Sequence, residues 1–252
     1  MAFVAGLVTV TFRQLAPREV IELARETKLS ALEWGGDVHV PPGDLEQARE
    51  VGRITRDAGL SVVAYGSYFR VGDDIPCDFE PVLQAAVALG APVIRVWAGR
   101  RGSKDADAAY RARVLDDSLL LSDRAAEEGI ALCYEYHADT LTDTDESAQA
   151  LLRAANFKMR TLWQPPHERT VARRGESLRG VLPWLNHVHV FHWPRRGERV
   201  ALEEGSGDWG AYLNVLREEG KECPMLLEFV RGDDPEQFRR DARTFRSWIG
   251  QG

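Results

Sequence analysis

The residues of this chain best suited to chemistry cluster at the ends of short apolar runs. Residues 186–195 read NHVHVFHWPR, an apolar stretch of strand length that carries His187, His189 and His192. Side chains alternate between faces on a strand, so His187 and His189 share one face and His192 follows at its exit. Buried imidazoles cost free energy unless they are hydrogen-bonded or used, and neutral imidazole is the commonest protein metal ligand. The pattern recurs along the chain. Glu33 ends one apolar run, Tyr65 another, Arg95 and Trp97 lie in VIRVW, and Glu135 and His137 follow ALCY. Gln164 and His167 follow TLW, and Glu228 closes MLLEF. Each residue alone also fits a structural role, such as a hydrogen-bonded core histidine. As a set, two Glu, one His and an amide oxygen form an oxygen-rich shell suited to Mn²⁺ or Mg²⁺ and tolerable for Co²⁺ or Zn²⁺.

The elements that must position these residues are legible from periodicity and breakers. Apolar runs at 3–10, 31–34, 61–65, 93–97, 131–135, 160–163, 187–191 and 225–229 read as strands. Helical periodicity separates them: after Pro17, over 45–58 closing at Gly59, over 79–89 closing at Gly90, and over 109–128 closing at Gly129. Further helices run to Ala155 behind Asp143 or Thr144 as N-cap, over 177–185, from Asp208 as N-cap to Glu219, and over 235–249. Strict alternation of eight strands with eight helices predicts a parallel sheet. At 252 residues the expected fold is one (β/α)8 TIM barrel, residues 1–252, with an open doubly wound sheet as the alternative. In such a barrel the active site lies at the C-terminal strand ends, where the polar residues above fall.

Composition narrows the class. Hydrophobic residues make up 44% and charged residues 28%, enough for a sizeable core. The net charge of −7 argues against a broad nucleic-acid surface. Cys77, Cys133 and Cys223 form no CxxC pair, which points away from a disulfide framework and towards a reducing compartment. The apolar run 3–12 is too short to span a membrane and has no basic segment before it, so a cytoplasmic protein is expected. The segment GSGDWG (205–210) matches GxGxxG formally, but it follows charged sequence instead of a strand, so a turn and helix start are expected there.

The motifs LCYEYH (132–137), LWQPPH (162–167), HVHVFHWPR (187–195), GSGDW (205–209) and LLEFV (226–230) resemble the xylose-isomerase-like TIM barrels. That group holds sugar isomerases, ketose 3-epimerases, hydroxypyruvate isomerases and inosose dehydratases. The resemblance implies a divalent metal held after strands five to eight, at positions matching Glu135, Gln164, His189 and Glu228 here. It implies a substrate contact at His167 and another at Arg195. Gln164 stands where the family carries Asp, which lowers the ligand charge and weakens the expected metal binding.

The chemistry implied is removal and return of a proton α to a carbonyl. A metal ion would stabilise the enediolate, with Glu135 and Glu228 as the acid/base pair. His137, His192, Glu33, Tyr65 and Trp97 are the further candidates for the substrate pocket. Arg95 shares a strand face with Trp97 and, if buried, requires a carboxylate partner, for which Glu33 and Glu135 are the candidates. The expected activity is isomerisation or epimerisation of a small carbohydrate. A dehydratase using the same enediolate and a sugar-binding barrel without catalysis are the alternatives. An apurinic-site endonuclease of the same fold would need more metal ligands and a basic groove.

Overall fold

The apolar runs form eight short parallel strands, and a computed structural model describes residues 3–73, 78–167 and 169–251. The strands are β1 (Val4–Val8), β2 (Ala31–Gly35), β3 (Ser61–Arg70) and β4 (Val93–Trp97). They continue with β5 (Ala131–Tyr134), β6 (Met159–Trp163), β7 (Leu185–Val190) and β8 (Pro224–Leu227). Each pairs with its sequence neighbours, and β8 pairs with β1, which closes the barrel. The helices between them are α1 (Pro17–Glu26), α2 (Leu45–Asp57), α3 (Glu80–Leu89), α4 (Ala108–Glu127), α5 (Asp145–Ala154), α6 (Val171–Val181), α7 (Ser206–Glu218) and α8 (Pro235–Trp248). The expected (β/α)8 barrel is therefore the observed one.

Alternation along each strand splits the apolar residues into two sets. Leu32, Trp34, Tyr65, Ile94, Val96, Tyr134, Trp163, Val188 and Val190 pack with the helices in one large core. Smaller clusters inside the barrel join Val8, Val10, Ala31 and Leu226, and join Ala64, Val93, Cys133 and Leu162. The same inner face carries Glu33, Arg95, His187 and His189, all buried. Small residues on this face, Ala31, Ala64 and Gly66, leave room for the long polar side chains around them.

Several boundaries differ from expectation for identifiable reasons. Helix α6 begins at Val171, six residues earlier than predicted, because Thr170 accepts a hydrogen bond from Arg173 N and caps it. Gly175 and Gly180 dilute the apolar pattern of that helix and obscure its start. Asp208 does not cap α7. Gly205 holds the cap position, and Asp208 sits in the first turn, 3.5 Å from Arg174 Nη1. Strand β8 stops at Leu227, before Glu228, and Phe229 has a left-handed backbone (φ 52°) that cannot continue a strand. Of the alternatives at the next site, Thr144, not Asp143, caps α5. Gly90 closes α3 in the left-handed region as expected (φ 78°). Cys133 and Cys223 are buried free thiols, and Cys77 lies outside the described residues. No helix among the described residues is long and apolar enough to cross a membrane.

Candidate active site

Strands β2, β4 and β7 each bring charge to the barrel axis, and the C-terminal ends of β5 and β8 cover it. Arg95 donates from Nε to Glu33 Oε1 at 2.8 Å and from Nη1 to Glu135 Oε2. Glu135 Oε2 also accepts from Trp97 Nε1, and Glu135 Oε1 lies 3.5 Å from the Gln164 amide nitrogen. That nitrogen donates to Tyr136 O at 2.6 Å. The other oxygen of Glu33 lies 3.0 Å from His189 Nε2 and 3.1 Å from His187 Nε2. Across the ring, His189 Nδ1 faces Glu228 Oε2 at 3.4 Å.

These groups set one another's charge. Burial works against ionisation of Glu33, yet His189 and Arg95 beside it hold its carboxyl well below the usual carboxylate range. Burial likewise pushes Glu135 up, and Arg95 and His189 bring it down. Burial pulls His189 down, but Glu228 and Glu33 on its two sides raise it to about 10, so it is a cation at neutral pH. Burial dominates at His187 and leaves it below its ordinary value.

Above this network opens a cavity of about 620 Å³ at the C-terminal end of the barrel. Of the residues singled out in the sequence, Glu135, Glu228, Gln164, His137, His167 and Trp97 line it. His137 lies against the Trp97 ring at 4.6 Å, and His167 stacks on Trp193 at 5.3 Å. The structure does not bring the others to the cavity wall. Glu33 and His189 lie beneath its floor. Tyr65 is on the opposite strand face from Glu33's neighbours, packs towards the helices and donates to Val40 O at 2.8 Å. His192 packs against Gly205 at the entry to α7. Arg195 projects outward with an 87% exposed side chain, next to Glu198. Its neighbour Arg196 lines the cavity instead. Trp193 lines it too, inside a stretch quoted above but with no role assigned to it. Arg95, which also lines the cavity, was foreseen only as a partner for carboxylates.

Residues 21–248 match the xylose isomerase-like TIM barrel family. The chain belongs to that family. Among curated proteins, a 3-dehydroshikimate dehydratase of Bacillus anthracis is 22% identical over 97% of this chain and 90% of its own length. The crystal structure of the probable 3-DHS dehydratase involved in petrobactin synthesis from Bacillus anthracis superposes with a TM-score of 0.79 at 18% identity, covering 97% of this chain and 98% of that one. D-psicose 3-epimerase with D-tagatose, from Clostridium cellulolyticum H10, gives 0.75 at 14% identity, covering 97% and 98%. A xylose isomerase-like barrel from Mycobacterium smegmatis in complex with magnesium gives 0.64 at 16% identity, covering 98% and 97%.

The xylose-isomerase-like fold raises the question of a metal ion. Among the described residues one group of three, Glu33, His187 and His189, places its ligand atoms within 4.8 Å of one another, close enough to hold an ion. This trio is fully buried below the cavity. Glu135, His189 and Glu228 do not form such a group. The expected quartet does not fit a divalent ion as arranged. N–H groups of Arg95 and Trp97 occupy one oxygen of Glu135, and the amide nitrogen of Gln164 faces the other. His189 Nδ1, the remaining nitrogen of the quartet, is buried and faces Glu228 Oε2 at 3.4 Å.

Proposed function

We propose that this barrel dehydrates a small polyhydroxylated carbonyl compound, taking a proton α to the carbonyl and expelling the β-hydroxyl as water. The observation that carries this reading is the tethering of Glu135. Epimerisation requires two groups free to exchange a proton with opposite faces of one carbon. Glu135 accepts charge-assisted hydrogen bonds from Arg95 and Trp97 and is held ionised, which makes it a weak base and a poor proton carrier. Elimination requires a single base and a single acid. Glu228 lines the same cavity and is the candidate base.

In this scheme the C–H electron pair forms the enolate. It then forms the C=C bond as the β-carbon–oxygen bond breaks, and the departing oxygen leaves as water after taking a proton. His137 and His167, both on the cavity wall, are the candidate donors of that proton. Arg95 lines the cavity and its Nη2 makes no hydrogen bond among the described residues, which makes this N–H the candidate donor to the carbonyl oxygen. The dehydratase relative that aligns over nearly the whole chain supports the same outcome. The second reading, epimerisation or isomerisation of a ketose, is favoured by Glu135 and Glu228 lining one cavity.

The deciding assay incubates the protein in deuterium oxide with 3-dehydroshikimate and, separately, with a panel of ketoses. Dehydration predicts loss of water by mass, and an ultraviolet-absorbing aromatic product from 3-dehydroshikimate. Deuterium incorporation without loss of mass would replace it with the epimerase reading.

A further inference from the structure

We propose that the Arg95 guanidinium is the resident cation of this barrel mouth and stands in place of a divalent metal. Three independent features of the site carry this. The guanidinium is 3% exposed and bridges two carboxylates, Glu33 below and Glu135 above, which gives it the position and charge partners of a bound ion. Its seat is built by an absence of side chain. A Cβ on Gly66 would lie 2.6 Å from Arg95 Nη2 and 2.7 Å from Glu33 Oε1, so only glycine leaves the space. The residue at the β6 end completes the arrangement. Gln164 turns its amide nitrogen to Glu135 and to Tyr136 O, contributing a donor where a cation site needs an oxygen.

The charge balance agrees. A metal ligand set must present lone pairs to the ion, but the Glu135 carboxylate is met by N–H groups from Arg95, Trp97 and Gln164. Arg95 and Trp97 hold Glu135 Oε2, so a divalent ion could reach this carboxylate only at Oε1, where it would meet the Gln164 amide nitrogen 3.5 Å away. The trio beneath shares this cation as a partner: Glu33 Oε1 takes Arg95 Nε, while Oε2 faces His189 Nε2 at 3.0 Å and His187 Nε2 at 3.1 Å.

The test needs no substrate, so its result is separate from that of the function proposed above. The full chain, stripped with chelator and dialysed, is titrated with Mn²⁺, Mg²⁺, Co²⁺ and Zn²⁺ by calorimetry and followed in thermal melts. The expected result is no one-to-one binding and no rise in melting temperature. A stoichiometric ion with Kd below about 100 μM, stabilising the fold by mass action, overturns the proposal. Two variants give the positive arm. Gln164→Asp alone keeps the guanidinium and should still bind no ion. Gln164→Asp combined with Arg95→Met frees Glu135 and should gain one-to-one Mn²⁺ binding, with a melting temperature that rises on adding Mn²⁺. Equal binding by the single and double variants, or none by a folded double variant, would show that Arg95 does not fill the cation position. Should the double variant fail to fold, the wild-type and Gln164→Asp titrations still decide.

Discussion

Gly66 lies directly against the Arg95 guanidinium, close enough that the smallest side chain at position 66 would collide with Nη2 and with Glu33 Oε1. Both side chains are held through their other atoms, Arg95 through Nη1 by Glu135 and Glu33 through Oε2 by the two histidines. Gly66→Ala should therefore cost about 1–3 kcal/mol of stability, the usual range for overpacking a filled interior. Urea denaturation measures it, and an unchanged midpoint would mean that Arg95 moves aside freely.

Removing one partner of the buried ion network should cost more than overpacking it. Glu33→Gln leaves the Arg95 and His189 cations short of a carboxylate in a fully buried setting. Breaking a buried pair this way costs about 3–5 kcal/mol. Combining Glu33→Gln with Arg95→Met removes both charges and should recover part of that loss, so the double-mutant cycle should give a favourable coupling energy. Additive costs would show that the two side chains act independently.

Glu228→Gln should lower turnover by about 10²–10⁴, the usual contribution of a positioned acid or base, with the circular dichroism spectrum unchanged. Its backbone N–H is fixed to Val190 O at 3.0 Å, so the change removes a carboxylate without releasing the loop. Wild-type activity in this variant would place the base elsewhere.

A pH dependence of stability should come from His39, away from the cavity. His39 is 1% exposed, Nε2 donates to Leu15 O at 3.1 Å and Nδ1 accepts from Thr9 Oγ1 at 3.0 Å, an arrangement satisfied by the neutral ring. Burial holds its pKa below the ordinary value of 6.5, the Leu15 carbonyl opposing. The unfolded chain then binds more protons than the native one between these two values. Its stabilising contribution is complete above 6.5 and declines as the pH falls below 6.5 towards the native pKa. His39→Gln should flatten this part of the stability–pH profile, and an unchanged slope would assign it to another group.

The sequence was sufficient for the barrel because its two periods are local properties. Apolar runs of strand length such as VIRVW alternate with amphipathic helices closed by glycines such as Gly90, and alternation at this length leaves few architectures. It also placed Glu135, Gln164, His167 and Glu228 at one end of the barrel, since each follows the last residues of a strand. The demand that Arg95 find a carboxylate was legible too, because a charge on an inward strand face cannot remain unpaired. Helix α6 was less readable, since two glycines diluted its pattern and Thr170 set its start.

What the tertiary structure decided is which neighbour each polar side chain takes. Alternation sends Glu33 inward and Tyr65 outward, although both end apolar runs and looked equivalent along the chain. The exit of β7 turns Arg195 to solvent and Arg196 to the cavity, a choice made by loop geometry and not by residue type. The partners that Glu135 takes, Arg95, Trp97 and Gln164, come from other strands or their ends. Electrostatic pairing depends on distances of a few ångströms between residues far apart in the chain, and only closure of the barrel sets those distances.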